Sequence, residues 1–354
     1  MKQRNHSKKT NTFQKTILVL FGILIFLMLF ETILFLTDLD LKMMKNQLYY
    51  QTQDIEVYKE SENINRIYEL KPNSSSTYNT WMHDLEKKYT NRTVTINSLG
   101  FRDIEREKIK PTGVYRIIIF GGSNTYGASV DDKDTYPRIL EEKLNNEYPG
   151  KFEVWNAGVC AYVPSQKVEY AKEIIKDYYP DMLIFQDFNK GRRAFLVDQN
   201  YITFLKKNKE LISENIPLFF IKSKIIKKIH YFLIQNSRTY RFILVNINDN
   251  IIRSKDQEYL KEVYVEFGKK INWREYDNFF SKNKNPEIVL FNFYEESWCQ
   301  EKELNHSNMK CFLLPFETKP KEYSDTHPPS YVYEWYGEEL KNYLIKNYFS
   351  NISD

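Results

Sequence analysis

The chain has 354 residues, and 51 Lys+Arg against 47 Asp+Glu leave a formal charge of +4, which argues against a dedicated nucleic-acid binder with a clustered basic patch. With 42% apolar and 16% aromatic residues it can bury a large core, so disorder throughout and a collagen-like fibre are excluded. Cys160, Cys299 and Cys311 form no C-x-x-C pair and the five histidines show no metal-ligand spacing, which excludes a disulfide framework and a zinc knuckle, leaves room for one bridge, and gives no reason to expect a metal or cofactor.

Residues 16–30 carry no charge, and beyond Glu31 the apolar character resumes to Thr37. About 20 such residues cross a hydrocarbon core of roughly 30 Å. Lys2, Arg4, Lys8, Lys9 and Lys15 precede the segment, and Asp38 and Asp40 follow it. The excess of basic residues puts residues 1–15 in the cytoplasm as a tail and everything after Asp38 outside. A cleaved signal peptide would have an apolar stretch of about 7–15 residues ending in small side chains. Residues 16–37 are longer and end in Glu-Thr-Ile-Leu-Phe-Leu-Thr, so an uncleaved single-pass signal anchor is expected.

Residues 38–95 are polar and tyrosine-rich and read as a stalk or adaptor, with Pro72 to Thr77 as loop. Tyr115 to Phe120 is a short β-branched apolar run between Gly113 and Gly121-Gly122, the mark of a buried strand. Thr135 to Glu147 carries a helical stripe at Tyr136, Ile139, Leu140 and Leu144. A strand at Phe152 to Asn156, a helix over about Ser165 to Asp177 and a strand at Met182 to Gln186 follow. This alternation predicts βαβ units and a parallel sheet, with the loops at Gly121, Asn156 and Asp187 on one rim. Residues 197–282 lack the strand rhythm and read as a mainly helical insertion. Within it Lys222 to His230 is basic and apolar; a solvated helix face is preferred to a membrane-surface helix. Strands return at Glu287 to Phe291 and Met309 to Leu314, and Ser330 to Phe349 reads as a closing amphipathic helix.

Gly121-Gly122-Ser123-Asn124 sits where a strand turns into a helix. Glycines permit the tight turn, and a serine there presents its hydroxyl at the sheet rim near amides that favour negative charge. An ordinary turn with a capping serine explains the motif equally well. Serine becomes a nucleophile only when a base takes its proton and a third group orients that base. Asp325-Thr326-His327-Pro328, before the last helix, offers both groups. Tyr126, Tyr162, Phe188, Arg192 and Arg193 are candidates for a sugar-binding rim, with core and loop packing the alternative.

Together these blocks resemble the SGNH hydrolases, also called the GDSL family. The resemblance implies a flavodoxin-like three-layer α/β/α sandwich with a central parallel sheet over residues 96–354, interrupted by the insertion at 197–282. It rests on Gly121-Gly122-Ser123-Asn124, on Asn156 to Tyr162, on Asp187-Phe188-Asn189 and on Asp325 to Pro328. The stretch Ile96 to Asp103 is similar to the entry of the membrane-anchored bacterial branch. By this resemblance Ser123 is the nucleophile, His327 the base and Asp325 its orienter, with Ser123 N–H, Ala161 N–H and the Asn189 side chain as oxyanion donors. Three departures stand out: Gly122 where the family has Asp, Ala161 where it has an oxyanion glycine, and Asp-x-His where Asp-x-x-His is usual. The implied function is an acyl ester hydrolase, an esterase or carbohydrate deacetylase, acting outside the cytoplasm on an acylated glycan or envelope component. The alternatives are an SGNH-type polysaccharide O-acetyltransferase and a catalytically silent glycan-binding or scaffold module. Membrane attachment through the N-terminal helix and no nucleic-acid partner are expected.

Overall fold

The structure, a computed structural model, describes residues 12–40, 43, 56–63, 66, 68–81, 89–160, 162, 164–187, 224–244, 246, 279, 281–282, 286–292, 309–321 and 327–350. Helix α1 (Thr12–Thr37) is 26 residues long, about 39 Å at ~1.5 Å per residue, and it is long and apolar enough to cross a membrane. Of its side chains only Leu34 is buried.

The segment that follows contains two strand pairs. Strands β1 (Tyr58–Glu60) and β2 (Tyr68–Leu70) pair antiparallel, as do β3 (Ser74–Trp81) and β4 (Tyr89–Ile96). The run from Pro72 to Thr77 is therefore a loop only at its start, because Ser74 already pairs with Ile96. Val57, Tyr58, Tyr68, Leu70 and Val94 are buried in the same apolar cluster as the central sheet.

That sheet has five parallel strands: β5 (Tyr115–Gly121), β6 (Phe152–Gly158), β7 (Met182–Asp187), β8 (Glu287–Asn292) and β9 (Met309–Leu313). Their spatial order is β6-β5-β7-β8-β9. Between them lie the single turn α2 (Ser123–Tyr126), α3 (Tyr136–Glu147), α4 (Pro164–Tyr178) and, in the insertion, α5 (Lys224–Asn236); α6 (Ser330–Leu344) closes the chain and runs on as a short π-helix. Residues 238–244 are also helical.

The strands read as unbroken apolar runs because both faces are covered, as parallel sheets require. Ile118, Phe120, Leu183, Phe185, Ile288 and Leu290 face one cluster with Ala171 and Ile174 of α4. Ile117, Ile119, Ile184, Val289 and Phe291 face the other with Ile139 and Leu140 of α3 and Tyr336 and Leu340 of α6. Helices thus cover both faces. Successive connections run to opposite sides of β5, which makes the β5/β7 boundary the point where strand order reverses, the place where open α/β sheets commonly bind ligands.

Candidate active site

Ser123 opens α2 directly after β5, at that reversal. The turn is one helical turn and no more: Gly127 N–H and Ala128 N–H both return to Ser123 O, and Gly127 ends it at φ +89°, a conformation that favours glycine. A loop and a short 3-10 turn intervene before α3, which begins at Tyr136, one residue from the start expected from its apolar stripe. Ser123 is 5% exposed, a buried residue rather than one standing free at the rim.

Three groups fix the turn from outside. From the β7 side, Gln186 Oε1 accepts Gly122 N–H (3.1 Å) and the Thr125 hydroxyl (2.7 Å), and Thr125 Oγ1 lies 2.9 Å from Tyr136 OH. On the β6 side, Gly158 lets the turn approach so closely that a Cβ there would stand 2.2 Å from Tyr126 N and 2.6 Å from the Thr125 carbonyl carbon. At the far end, the fully buried Arg102 guanidinium donates to Tyr126 O (2.8 Å), Gly127 O (2.6 Å) and Val130 O (2.7 Å), pairs with Asp132 (2.8 Å), and packs on the Tyr126 ring at 4.8 Å. The Gly122 N–H is thus bonded to a side chain of the neighbouring strand.

The loop after β6 is pinned as well. Val159 N–H donates to Gly121 O (3.1 Å), Tyr68 OH donates to Cys160 O (2.5 Å), and the Tyr162 hydroxyl bonds Tyr68 O. Ala161, the expected oxyanion donor, lies outside the described residues, between these two anchored neighbours. At the end of β7 the buried Lys167 ammonium donates to Gln186 O (2.6 Å). Asn189, Phe188, Arg192 and Arg193 lie outside the described residues.

His327 is half-buried, and the next residue ties its loop to the region just beyond α2: Ser129 Oγ donates to Pro328 O (2.5 Å). The structure thereby brings the His327 loop to the same end of the sheet as the Ser123 turn. Asp325 lies outside the described residues.

Two candidates for the rim are corrected. Tyr126 and Tyr162 are buried in the core cluster with Tyr58 and Tyr68, and the Tyr162 hydroxyl takes a bond from Arg66 Nε (3.2 Å). Rings enclosed in this way have no free face for a sugar; the packing alternative is what the structure has. Burial raises the Tyr162 phenol to about 12, with Arg66 opposing. Cys160 is buried and not in a disulfide, whereas Cys311 on β9 is disulfide-bonded.

Beneath the β6 end, Asp103 receives Asn156 N–H (3.3 Å) and pairs with Arg106 (3.1 Å). Burial pushes the Asp103 carboxyl up to about 6 against the pull of Arg106. An unfolded aspartate titrates near 3.9. The native chain therefore binds a proton between these values that the unfolded chain does not, and this group's contribution to stability is full below about pH 4 and lost as pH rises through about 6. The urea midpoint of the wild type relative to Asp103→Asn is expected to increase from pH 7 to pH 5; a constant difference would show that Asp103 stays ionised.

No model of a known family matches the chain, and no curated protein is significantly similar to it.

Proposed function

We propose that the chain is a serine-dependent acyl ester hydrolase of the SGNH type, held at a membrane and acting on an ester of the cell envelope. The observation that carries the reading is the placement of Ser123 on a tightly braced turn at the strand-order reversal, with the His327 loop hydrogen-bonded to the segment leaving that turn. In this reading His327 takes the Ser123 proton as Oγ attacks the ester carbonyl. Ser123 N–H, Ala161 N–H and the Asn189 amide bind the oxyanion, and Asp325 orients the imidazole. The tetrahedral adduct expels the alcohol, which takes the proton from His327, and water then releases the acid from Ser123. A sugar hydroxyl in place of water makes the same site an O-acetyltransferase.

The membrane reading rests on α1, with the basic tail inside and the rest of the chain outside. The bonded state of Cys311 supports an oxidising compartment for β9. The burial of Ser123 favours one second reading, a catalytically silent glycan-binding module of the same fold.

Fluorophosphonate labelling of the full chain in detergent, with the adduct located by mass spectrometry, separates the two. Modification of Ser123 that is lost in Ser123→Ala and in His327→Ala is expected. A folded wild type that takes no label would leave the binding module as the reading.

A further inference from the structure

The carboxyl end of α1 is fastened to the insertion. Glu31, the one charged residue between 16 and 37, accepts the N–H groups of Arg238 (2.6 Å) and Thr239 (2.8 Å) and the Ser237 hydroxyl (3.2 Å), capping the first turn of the helix at 238–244. Arg238 also reaches Asp38 (2.6 Å) and Asp40 (3.3 Å), Arg241 holds Asp40 (2.9 Å), and the Phe30 ring meets Phe242 edge-on at 5.4 Å. Ser237, where α5 ends and the next helix begins, therefore sits at the level of Glu31, within two turns of the last residue of α1.

Helix α5 arrives at this junction with an uncovered apolar side. Ile225, Ile226, Ile229 and Phe232 recur at i, i+1, i+4 and i+7, which places them on one face, and they are 72%, 51%, 53% and 64% exposed. In the sequence Lys222 and Lys224 precede them and Lys227 and Lys228 lie among them, and Lys228 is exposed. An apolar stripe beside lysines, on a helix tethered to a membrane-crossing one, has the make-up of an interfacial helix.

We propose that α5 lies on the surface of the bilayer that α1 crosses, with Ile225, Ile226, Ile229 and Phe232 in the boundary between headgroups and acyl chains and its lysines among the phosphates. The proposal rests on the membrane reading of α1 given above, and it replaces the solvated face expected from the sequence. A second copy of the chain suits the stripe less well, because a symmetric contact brings the same lysines together, whereas lipid phosphates complement them.

The test uses the full chain in vesicles of phosphatidylcholine and phosphatidylglycerol, with an environment-sensitive nitrobenzoxadiazole fluorophore on Ile229→Cys or, as a reference, on the exposed Lys151→Cys. The native Cys160 is buried and does not compete. At position 229 a blue-shifted emission that is quenched by lipids spin-labelled high on the acyl chain is expected, and at position 151 neither effect. Solvent-like emission at 229, or a blue shift that lipid spin labels do not quench, as a second copy would give, overturns the proposal. Extraction with alkaline carbonate distinguishes the failures. A chain washed off the vesicles refutes the membrane reading of α1 and with it the placement of α5, whereas a retained chain with solvent-like emission at 229 refutes the placement of α5 alone.

Discussion

Gly158→Ala is expected to displace the Ser123 turn while leaving the sheet paired. The new methyl carbon would start 2.2 Å from Tyr126 N and 2.8 Å from Tyr126 Cα. Both are backbone atoms, so no side-chain rotation relieves the clash. Either α2 moves outward, breaking its bonds to Gln186 and Arg102, or β6 shifts against β5, where Gly121 pairs with Gly158. Overpacking a filled site costs about 1–3 kcal/mol and occasionally more, and a backbone-to-backbone clash belongs at the upper end, about 3 kcal/mol. The measurement is a urea titration followed by fluorophosphonate labelling of the fraction that remains folded. Lower stability with loss of the Ser123 adduct is expected; wild-type labelling would mean that the turn tolerates displacement and that its bracing has no bearing on reactivity.

Arg102→Met should be comparably severe, for an electrostatic reason. Methionine fills much of the stem's volume but leaves the carbonyls of Tyr126, Gly127 and Val130 without their donor and Asp132 without its cation. Leaving a buried acceptor without its donor costs about 1–3 kcal/mol, and Asp132, a third exposed, is rehydrated at little cost. Arg102→Lys should recover only part of this, since an ammonium is a compact charge and cannot spread donors over three carbonyls and a carboxylate as a planar guanidinium does. A matching urea midpoint for Arg102→Lys and the wild type would contradict this account. Arg102 braces the Ser123 turn through the carbonyls that end it.

The parallel sheet was legible from residue types alone, because strands buried on both faces must be nearly all apolar. The runs at Tyr115 to Phe120 and Met182 to Gln186 differ from the observed strands by a single residue at one end. The helix at Thr135 to Glu147 is observed from Tyr136 to Glu147. What lay before Ile96 was not legible in this way. The strand Ser74–Trp81 is a polar ribbon without apolar alternation, and Tyr58 and Tyr68 find their partners in Tyr126 and Tyr162, far along the chain. The same long-range packing withdrew Tyr126 and Tyr162 from the candidate rim. Ser123 and His327 stood out through their motifs, and both come to one end of the sheet. Gln186 and Arg102 did not stand out, since no side-chain pattern in the sequence marks the carbonyls 24 to 28 residues away that Arg102 binds, or the amide and hydroxyl more than 60 residues away that Gln186 accepts. In the sequence Glu31 shows only as a break in the apolar run; its role as a cap for residues 238–239 depends on a segment more than 200 residues later.

The spacing of β7 and β8 sets an order of events for a chain being made from its amino end. Strands β5, β6 and β7 pair side by side and are complete by Asp187, whereas β8, the next neighbour, begins only at Glu287. Loop-closure entropy grows slowly with length, adding only about 0.6 kcal/mol per doubling, so the intervening segment is tolerated at equilibrium, and its cost is paid mainly in time. Synthesis delivers about 5–20 residues per second, so the insertion separates β7 from β8 by roughly 5–20 s. The residues that brace the Ser123 turn, Arg102, Gly158 and Gln186, are all made before that interval, and His327 is made after it. In the proposed reading the nucleophile's turn and its base therefore come from opposite sides of that interval.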